Sequence, residues 1–404
     1  MKWIARLLEE AFCGGKNTNI LQITKYFYPA TSFGGPVQCT YNLSKCLTRR
    51  GHNVTVYATD ALAIDTNART KNQYQEIDGI SVFNFRNTAK FCGLFISPGI
   101  IRALKTNIKN FDVVHLHEYR TFQNIVFKYL KKNVPYVLSC HGEFAYREEE
   151  WNYRLPRRFF DYLFGKELVS HADQLIALTQ SEAFEYLRAG IKPDKIAIVP
   201  NGVAVEDFSK IPTKGYFRTL FGIDEQHIIL YLGRLNKRKG IDTLVKAFCL
   251  LSKDRSDARL VIAGPDDGFL AALERDVGRL NLKNRVSFTG PLNRRQVLAA
   301  LNEASVVVYP SIQEGFPIVP LEAGIMGKPI IVSDDAAMNF VREGHFGLTI
   351  EYGNTTQLKE ALETLLNRPE MSRKLGANGV EYVTRCYSWE TIAKRFETIY
   401  SNIS

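Results

Sequence analysis

Short, mainly apolar runs alternate with amphipathic stretches along nearly the whole chain. Asn19–Thr24, Val54–Ala58, Ile80–Phe85, Asp112–Leu116, Val134–Cys140, Gln174–Leu178 and Lys195–Val199 are too short for core helices. They read as strands buried on both faces, which is the signature of parallel sheets. Helical patterns such as Val37–Arg50 and Ser181–Arg188 fall between them. Pro200-Asn201-Gly202-Val203 breaks the alternation, and it restarts with Ile228–Gly233, Leu260–Gly264, Arg285–Phe288, Ser305–Tyr309 and Ile330–Val332. The expected fold is α/β, with two Rossmann-like parallel-sheet domains facing a central cleft. The domains are placed at residues 19–200 and 201–385, with a closing helix at 386–404. Residues 1–18 form an extension in which Trp3, Ile4, Leu7, Leu8, Ala11 and Phe12 share one helical face.

Composition removes several function classes. Seven cysteines without a CxxC pair argue for free thiols in a reducing compartment, against a disulfide or zinc framework. No apolar run reaches the length of a membrane span, and residues 1–17 lack the apolar core of a signal peptide. The net charge of +10 is uneven. Residues 1–200 carry 26 Lys and Arg against 18 Asp and Glu, whereas residues 201–404 carry 26 against 24. The basic first half suits an anionic partner such as acidic lipid or a phosphate-bearing acceptor, or is simple scatter.

The chemistry-bearing residues sit where strands end. Glu314-Gly-Phe-Pro-Ile-Val-Pro-Leu-Glu322 follows the run Ser305–Tyr309 and enters a helix, with Pro320 suited to its first turn. The amides of Gly315, Phe316, Ile318 and Val319 are expected to point at solvent, as an anion site at a helix start does. Glu314 and Glu322 accept hydrogen bonds only, so they suit sugar hydroxyls and not phosphate. Alternatively, both acids simply complement the helix dipole. Gly233-Arg-Leu-Asn-Lys-Arg-Lys239-Gly240 crowds four cations into one strand-to-helix loop, and reads as a phosphate clamp or as a solvated loop. In the first half, Gly34-Gly35-Pro36 ends a loop before a helix and is not a dinucleotide fingerprint. His117 and Glu118 end one strand, and His141 and Glu143 follow the next, forming a ligand-facing rim too sparse for zinc. Residues 144–165 mix arginine with aromatics, as an acceptor or membrane surface would, or as a packed helix would.

Taken in order, Gly34-Gly35-Pro36, His141-Gly142, Asn201-Gly202-Val203, Gly233-Arg234 with Lys239-Gly240, and the Glu314/Glu322 pair resemble the retaining glycosyltransferases of family 4, which have the GT-B fold. The resemblance runs from Asn19 to the final helix. It implies a nucleotide-sugar on the second domain, with UDP as the family's usual carrier, and a saccharide or lipid-linked acceptor on the first. Arg234 and Lys239 would bind the diphosphate, Glu322 the ribose, and Glu314 the donor sugar, with Gly233, Gly315, Phe316, Ile318, Val319 and Asn201 beside them. His141 would face the donor sugar, and the amides of Gly34 and Gly35 would lie by the diphosphate. His117, Glu118, Glu143 and Arg147 are assigned to the acceptor.

Neither a cofactor nor a metal is expected, since cations and amides do a metal's work. Nucleic acid is not an expected partner. A peripheral place on the inner face of the cell membrane, in cell-surface glycan synthesis, completes the expectation. Pro317 departs from the family, in which many members carry Gly there, and Pro removes an amide. The rival readings on this fold are a nucleotide-sugar 2-epimerase and an inactive membrane- or nucleic-acid-binding protein.

Overall fold

The computed structural model describes residues 17–30, 35–63, 68–91, 93–131, 133–144 and 154–404. The chain forms two compact units, one running through Asn201 and resuming at Trp389–Ser404, the other spanning Gly202–Ser388.

The first unit holds β1 (Asn19–Ile23), β2 (Asn53–Thr59), β3 (Tyr74–Ile77), β4 (Ile80–Phe85), the hairpin β5 (Ala89–Phe91) and β6 (Leu94–Ile96), β7 (Val113–His117), β8 (Tyr136–Ser139), β9 (Gln174–Ala177) and β10 (Ile196–Ile198). Eight of these make one sheet in the order β10-β9-β8-β7-β1-β2-β4-β3. All its pairings are parallel except β3 with β4. Asp78 and Gly79, both at positive φ, make the tight turn that reverses the chain there. β7 and β8 are buried along their whole length, the two histidines of β7 included.

The helix Trp389–Ile403 belongs to this unit. Trp389, Ile392, Ala393, Phe396 and Tyr400 recur at three- and four-residue steps and are buried. Arg50 grips both carboxylate oxygens of Glu397 on this helix, at 2.5 and 2.8 Å.

The second unit carries β11 (His227–Leu232), β12 (Ala258–Ala263), β13 (Val286–Gly290), β14 (Val306–Tyr309), β15 (Ile330–Ser333) and β16 (Gly347–Ile350). The sheet order is β13-β12-β11-β14-β15-β16, parallel throughout. Alternate residues serve two cores. Leu230, Val307 and Ile330 pack on one face; Ile229, Val306 and Ile331 pack on the other. The chain runs outward in both directions from the neighbouring pair β11 and β14. A crevice opens at the carboxyl ends of strands at such a switch point, and open α/β sheets bind ligands there.

The two Rossmann-like sheets agree with the α/β expectation. β3, β5, β6 and β16 are not among the expected strands; they are short, and β3 and β5 are largely exposed and lack a buried apolar run. Residues 1–16, including the apolar face from Trp3 to Phe12, lie outside the described residues.

Candidate active site

Arg234 and Lys239 leave β11, and Glu314 leaves β14, so both loops open at the switch point of the second sheet. Two glycines let them approach. A Cβ on Gly240, at φ +64°, would sit 2.1 Å from the carbonyl oxygen of Pro310. A Cβ on Gly264 would sit 1.9 Å from that of Gly233. Only glycine lets backbone meet backbone this closely.

The Lys239 ammonium lies 2.5 Å from Glu314 Oε1 and donates to the Tyr309 hydroxyl at 2.8 Å. Tyr309 and Ser311 also donate to Glu314 Oε1. Burial, reinforced by the Glu314 charge, pushes the Tyr309 phenol well above its usual range, so it stays a neutral donor. Arg234 is 65% exposed at its side chain and reaches Asp267 at 3.3 Å. It is an exposed cation at the rim, whereas Lys239 is held inside it.

Glu322 lies in the first turn of the helix Val319–Ile325. Arg294, at the start of the helix Arg294–Glu303, donates to Glu322 Oε1 and stacks over Phe208 at 4.7 Å. Burial raises the Glu322 carboxyl above its ordinary value, and Arg294 opposes the rise. The two glutamates thus share one arrangement. In each, Oε1 is held by protein cations or hydroxyls and, among the described residues, Oε2 carries no protein hydrogen bond. No protein acceptor engages the amides of Gly315, Ile318 or Val319 among the described residues. Phe316 packs against Phe340 at 5.4 Å, which anchors the loop to the core. Gln313, just before Glu314, sits at φ +60°, a conformation that costs about 1–3 kcal/mol and clusters at functional sites.

In the first unit, three imidazoles stack at the ends of β7 and β8. His115 and His117 lie 4.1 Å apart by ring centre, and His117 and His141 lie 5.3 Å apart. His117 Nδ1 is 3.0 Å from His141 Nε2, and His117 Nε2 is 2.5 Å from Gln22 Oε1. His115 bridges Tyr400 Oη and Ser139 Oγ. Burial holds His115 and His117 well below 6.5 and His141 down to about 4, with the Glu143 charge opposing the fall at His141. All three are neutral at pH 7. With Asn201 they line a cavity of about 10 Å³, room for one water. Asn201 lines this cavity together with the histidines.

Beside them, Lys25, which follows β1, reaches Glu118 at 3.3 Å and Glu143 at 3.5 Å. Burial pushes the Glu118 carboxyl up to about 7 against the pull of Lys25. Burial pushes the Glu143 carboxyl up, but Lys25, the Tyr119 and Arg120 amides and the Arg120 charge together outweigh it, and the carboxyl sits below its usual value. Glu118 and His141 both take positive φ, at 64° and 52°.

The rim expected from His117, Glu118 and Glu143 is therefore brought together, but its members differ. His117 and Glu118 are buried, with their polar atoms engaged by protein. They support the rim and do not present it. Glu143 remains partly exposed. Gly35 opens the helix Gly35–Arg49 with free space where a Cβ would stand. Gly34 and Arg147 lie outside the described residues. Among the described residues no group of three His, Cys, Asp or Glu converges on a metal position, and no helix is long and apolar enough to cross a membrane.

The fold matches solved structures across its length. HepE of Anabaena, in complex with UDP-glucose, superposes with TM-score 0.72 over 96% of this chain and 100% of its own, at 18% identity. Sucrose-phosphate synthase from Thermosynechococcus elongatus gives TM-score 0.72 over 96% and 99%, at 21% identity. A family described as Glycosyltransferase Family 4 matches residues 33–207, and one described as Glycosyl transferases group 1 matches residues 217–382. The chain is a GT-B glycosyltransferase. An uncharacterized glycosyltransferase of Methanocaldococcus jannaschii is 27% identical over 92% of this chain and 95% of its own. D-inositol 3-phosphate glycosyltransferase of Corynebacterium diphtheriae is 24% identical over 91% and 90%.

Three members of these side-chain clusters escape a reading of the sequence. Lys25, Tyr309 and Arg294 meet their acidic partners only in three dimensions. Lys25 carried a weak signal, since it stands at a strand end as Glu118 and Glu143 do. Arg294 carried none beyond its place in a helix start.

Proposed function

We propose that this enzyme is a retaining, family 4 glycosyltransferase that moves a sugar from a nucleotide-sugar, UDP-linked, to a saccharide or lipid-linked acceptor. The observation that carries the reading is the switch-point pair of loops, with Lys239 between Tyr309 and Glu314 and with exposed Arg234 alongside. Departure of a nucleoside diphosphate builds negative charge, which two cations stabilise by about 3–4 kcal/mol each when placed in advance. That placement is the ground for proposing a metal-independent reaction. The open Oε2 of Glu314 takes a donor-sugar hydroxyl, and that of Glu322 takes the ribose. The neutral imidazole of His141 suits hydrogen bonding to uncharged sugar hydroxyls. Glu314 and Glu322 are each tied to a cation, which favours same-face displacement assisted by the leaving group over a covalent intermediate.

HepE is described with UDP and UDP-glucose, which supports a uridine carrier. On the first unit, Tyr129, Phe159 and Tyr162 are exposed beside Lys128, Arg158 and Lys166. This basic–aromatic face supports peripheral attachment to an anionic membrane on the cytoplasmic side.

Thermal stabilisation by a panel of nucleotide-sugars tests the donor. At a hundredfold excess over Kd the bound form gains about 2.7 kcal/mol. The anomeric configuration of the product, read by NMR, tests retention, and full activity in a chelator tests metal independence. Pelleting with anionic vesicles at low salt tests the membrane face. Stabilisation by no nucleotide-sugar overturns the donor reading.

A further inference from the structure

A groove lies along the β2–β4–β3 edge of the first unit. It has a volume of about 560 Å³ and is lined by Thr55, Tyr57, Tyr74, Ser81, Phe83, Asn107, Asn110 and Phe111. The register places Thr55 opposite Ser81, and Phe83 between Tyr57 and Tyr74, on one face of the sheet. The other face of β4, carrying Ile80, Val82 and Asn84, is buried. The helix Gly99–Asn107 and the turn Ile108–Asn110 border the groove and leave the outermost strands bare.

A bare sheet face ordinarily turns polar residues to water. This one instead carries an aromatic shelf. Tyr74 is 53% exposed and meets Phe83 at 5.0 Å; Phe83 meets Tyr57 at 5.6 Å, and Tyr57 meets Phe111 at 6.3 Å. The edge of the shelf carries two hydroxyls, Thr55 and Ser81, and two amides, Asn107 and Asn110. The lining residues carry no charge, although the surrounding half of the chain is strongly basic, and the one acid the register brings to this face, Glu76 opposite Ser81, stands exposed at its edge. Such a lining disfavours an anion, a cation or an acidic membrane. Flat rings beneath neutral donors and acceptors match a pyranose, whose C–H face stacks on aromatics while its hydroxyls bond amides and hydroxyls.

We propose that this groove binds an uncharged sugar unit of a glycan, at a site separate from the one that carries out transfer. The groove lies on the amino-terminal side of the sheet, since Asn107, Asn110 and Phe111 precede β7, whereas the histidine cluster and Lys25 lie at the carboxyl ends. A glycan held there is retained without its reacting end being occupied.

The test uses the full chain on a printed array of neutral and acidic oligosaccharides, with Tyr74→Ala and Lys239→Ala beside the wild type. Tyr74 is exposed, and its removal leaves the fold intact. The expected result is signal on neutral glycans that falls at least tenfold in Tyr74→Ala and persists in Lys239→Ala. Thr55→Val, which keeps shape and removes a hydroxyl, should also lower it. Titration with UDP reads the donor site separately, so a failed groove and a failed donor assignment are distinguishable. A blank array, signal confined to acidic glycans, or neutral-glycan signal indifferent to Tyr74→Ala each overturns the proposal. So does sedimentation showing a dimer that Tyr74→Ala dissociates, because the shelf would then be an interface between copies.

Discussion

The ammonium of Lys239 lies 2.5 Å from Oε1 of Glu314, and both side chains are 15% exposed. A cation proposed for the diphosphate is thus held, before any ligand arrives, by the carboxylate proposed for the sugar. The pair fixes both side chains in advance, and fixed charge is what transition-state stabilisation requires. It also makes diphosphate and Glu314 competitors for one ammonium.

Arg234 and Lys239 are expected to differ in stability and agree in chemistry. Arg234→Ala removes an exposed side chain with one long ion pair, so stability should change by less than about 0.5 kcal/mol. Lys239→Ala strips a charged donor from Glu314 and Tyr309 and should cost about 1–3 kcal/mol. Each should lower kcat by about 10²–10³-fold. Urea unfolding and steady-state kinetics check both halves. Near-normal turnover in both variants ends the phosphate-clamp reading.

Glu314 and Glu322 are expected to separate kcat from binding. Glu314→Gln keeps an acceptor oxygen and releases Lys239 from an opposing charge, so affinity for free UDP should hold or rise while kcat falls. Glu322→Ala removes the carboxylate that faces Arg294 and should weaken UDP itself, with kcat less affected. Arg294→Ala should act in the same direction as Glu322→Ala, because its guanidinium orients that carboxylate. Calorimetric titration with UDP beside kinetics decides. Indistinguishable UDP affinities in the two glutamate variants would refute the division of labour.

How far the sequence reached follows from sequence distance. Strand–helix alternation is local, so both parallel sheets could be read from it. So could the places where Arg234, Lys239, Glu314 and Glu322 leave their strands, because a loop's position needs only its neighbours. Partners could not. Lys25 meets Glu118 across 93 positions and Glu143 across 118, and Lys239 meets Glu314 across 75. The burial of Glu118 was hidden for the same reason, since a carboxylate at a strand end looks identical whether an ammonium covers it or water does. The aromatic-rich stretch 144–165 shows the same ambiguity. In its described part Phe160 is buried while Phe159 and Tyr162 are exposed, so the packing expected of a helix accounts for some of its aromatics and not for others.

Acid should reveal the tie between Glu397 and the first unit. Arg50 holds both oxygens of Glu397, and His52 Nε2 lies 3.0 Å from Oε1. Burial pushes this carboxyl up, but His52 and Arg50 together pull it further down, to about 2 against an ordinary 4.5. The folded value lies below the unfolded one, so the unfolded chain takes up the proton first as pH falls. The stability from this contact is therefore complete above pH 4.5 and drains away as pH falls toward 2. The gap corresponds to at most about 3 kcal/mol, and partial exposure reduces it to about 2 kcal/mol. Glu397→Gln preserves shape and removes the charge. It should be less stable than wild type by that amount at pH 7, and the two should converge as pH drops below 4. Urea unfolding followed by circular dichroism at pH 7, 4.5 and 3 measures the difference directly. A difference that stays constant across the three pH values would show that packing of the helix Trp389–Ile403, and not the Glu397 charge, supplies the contact's stability.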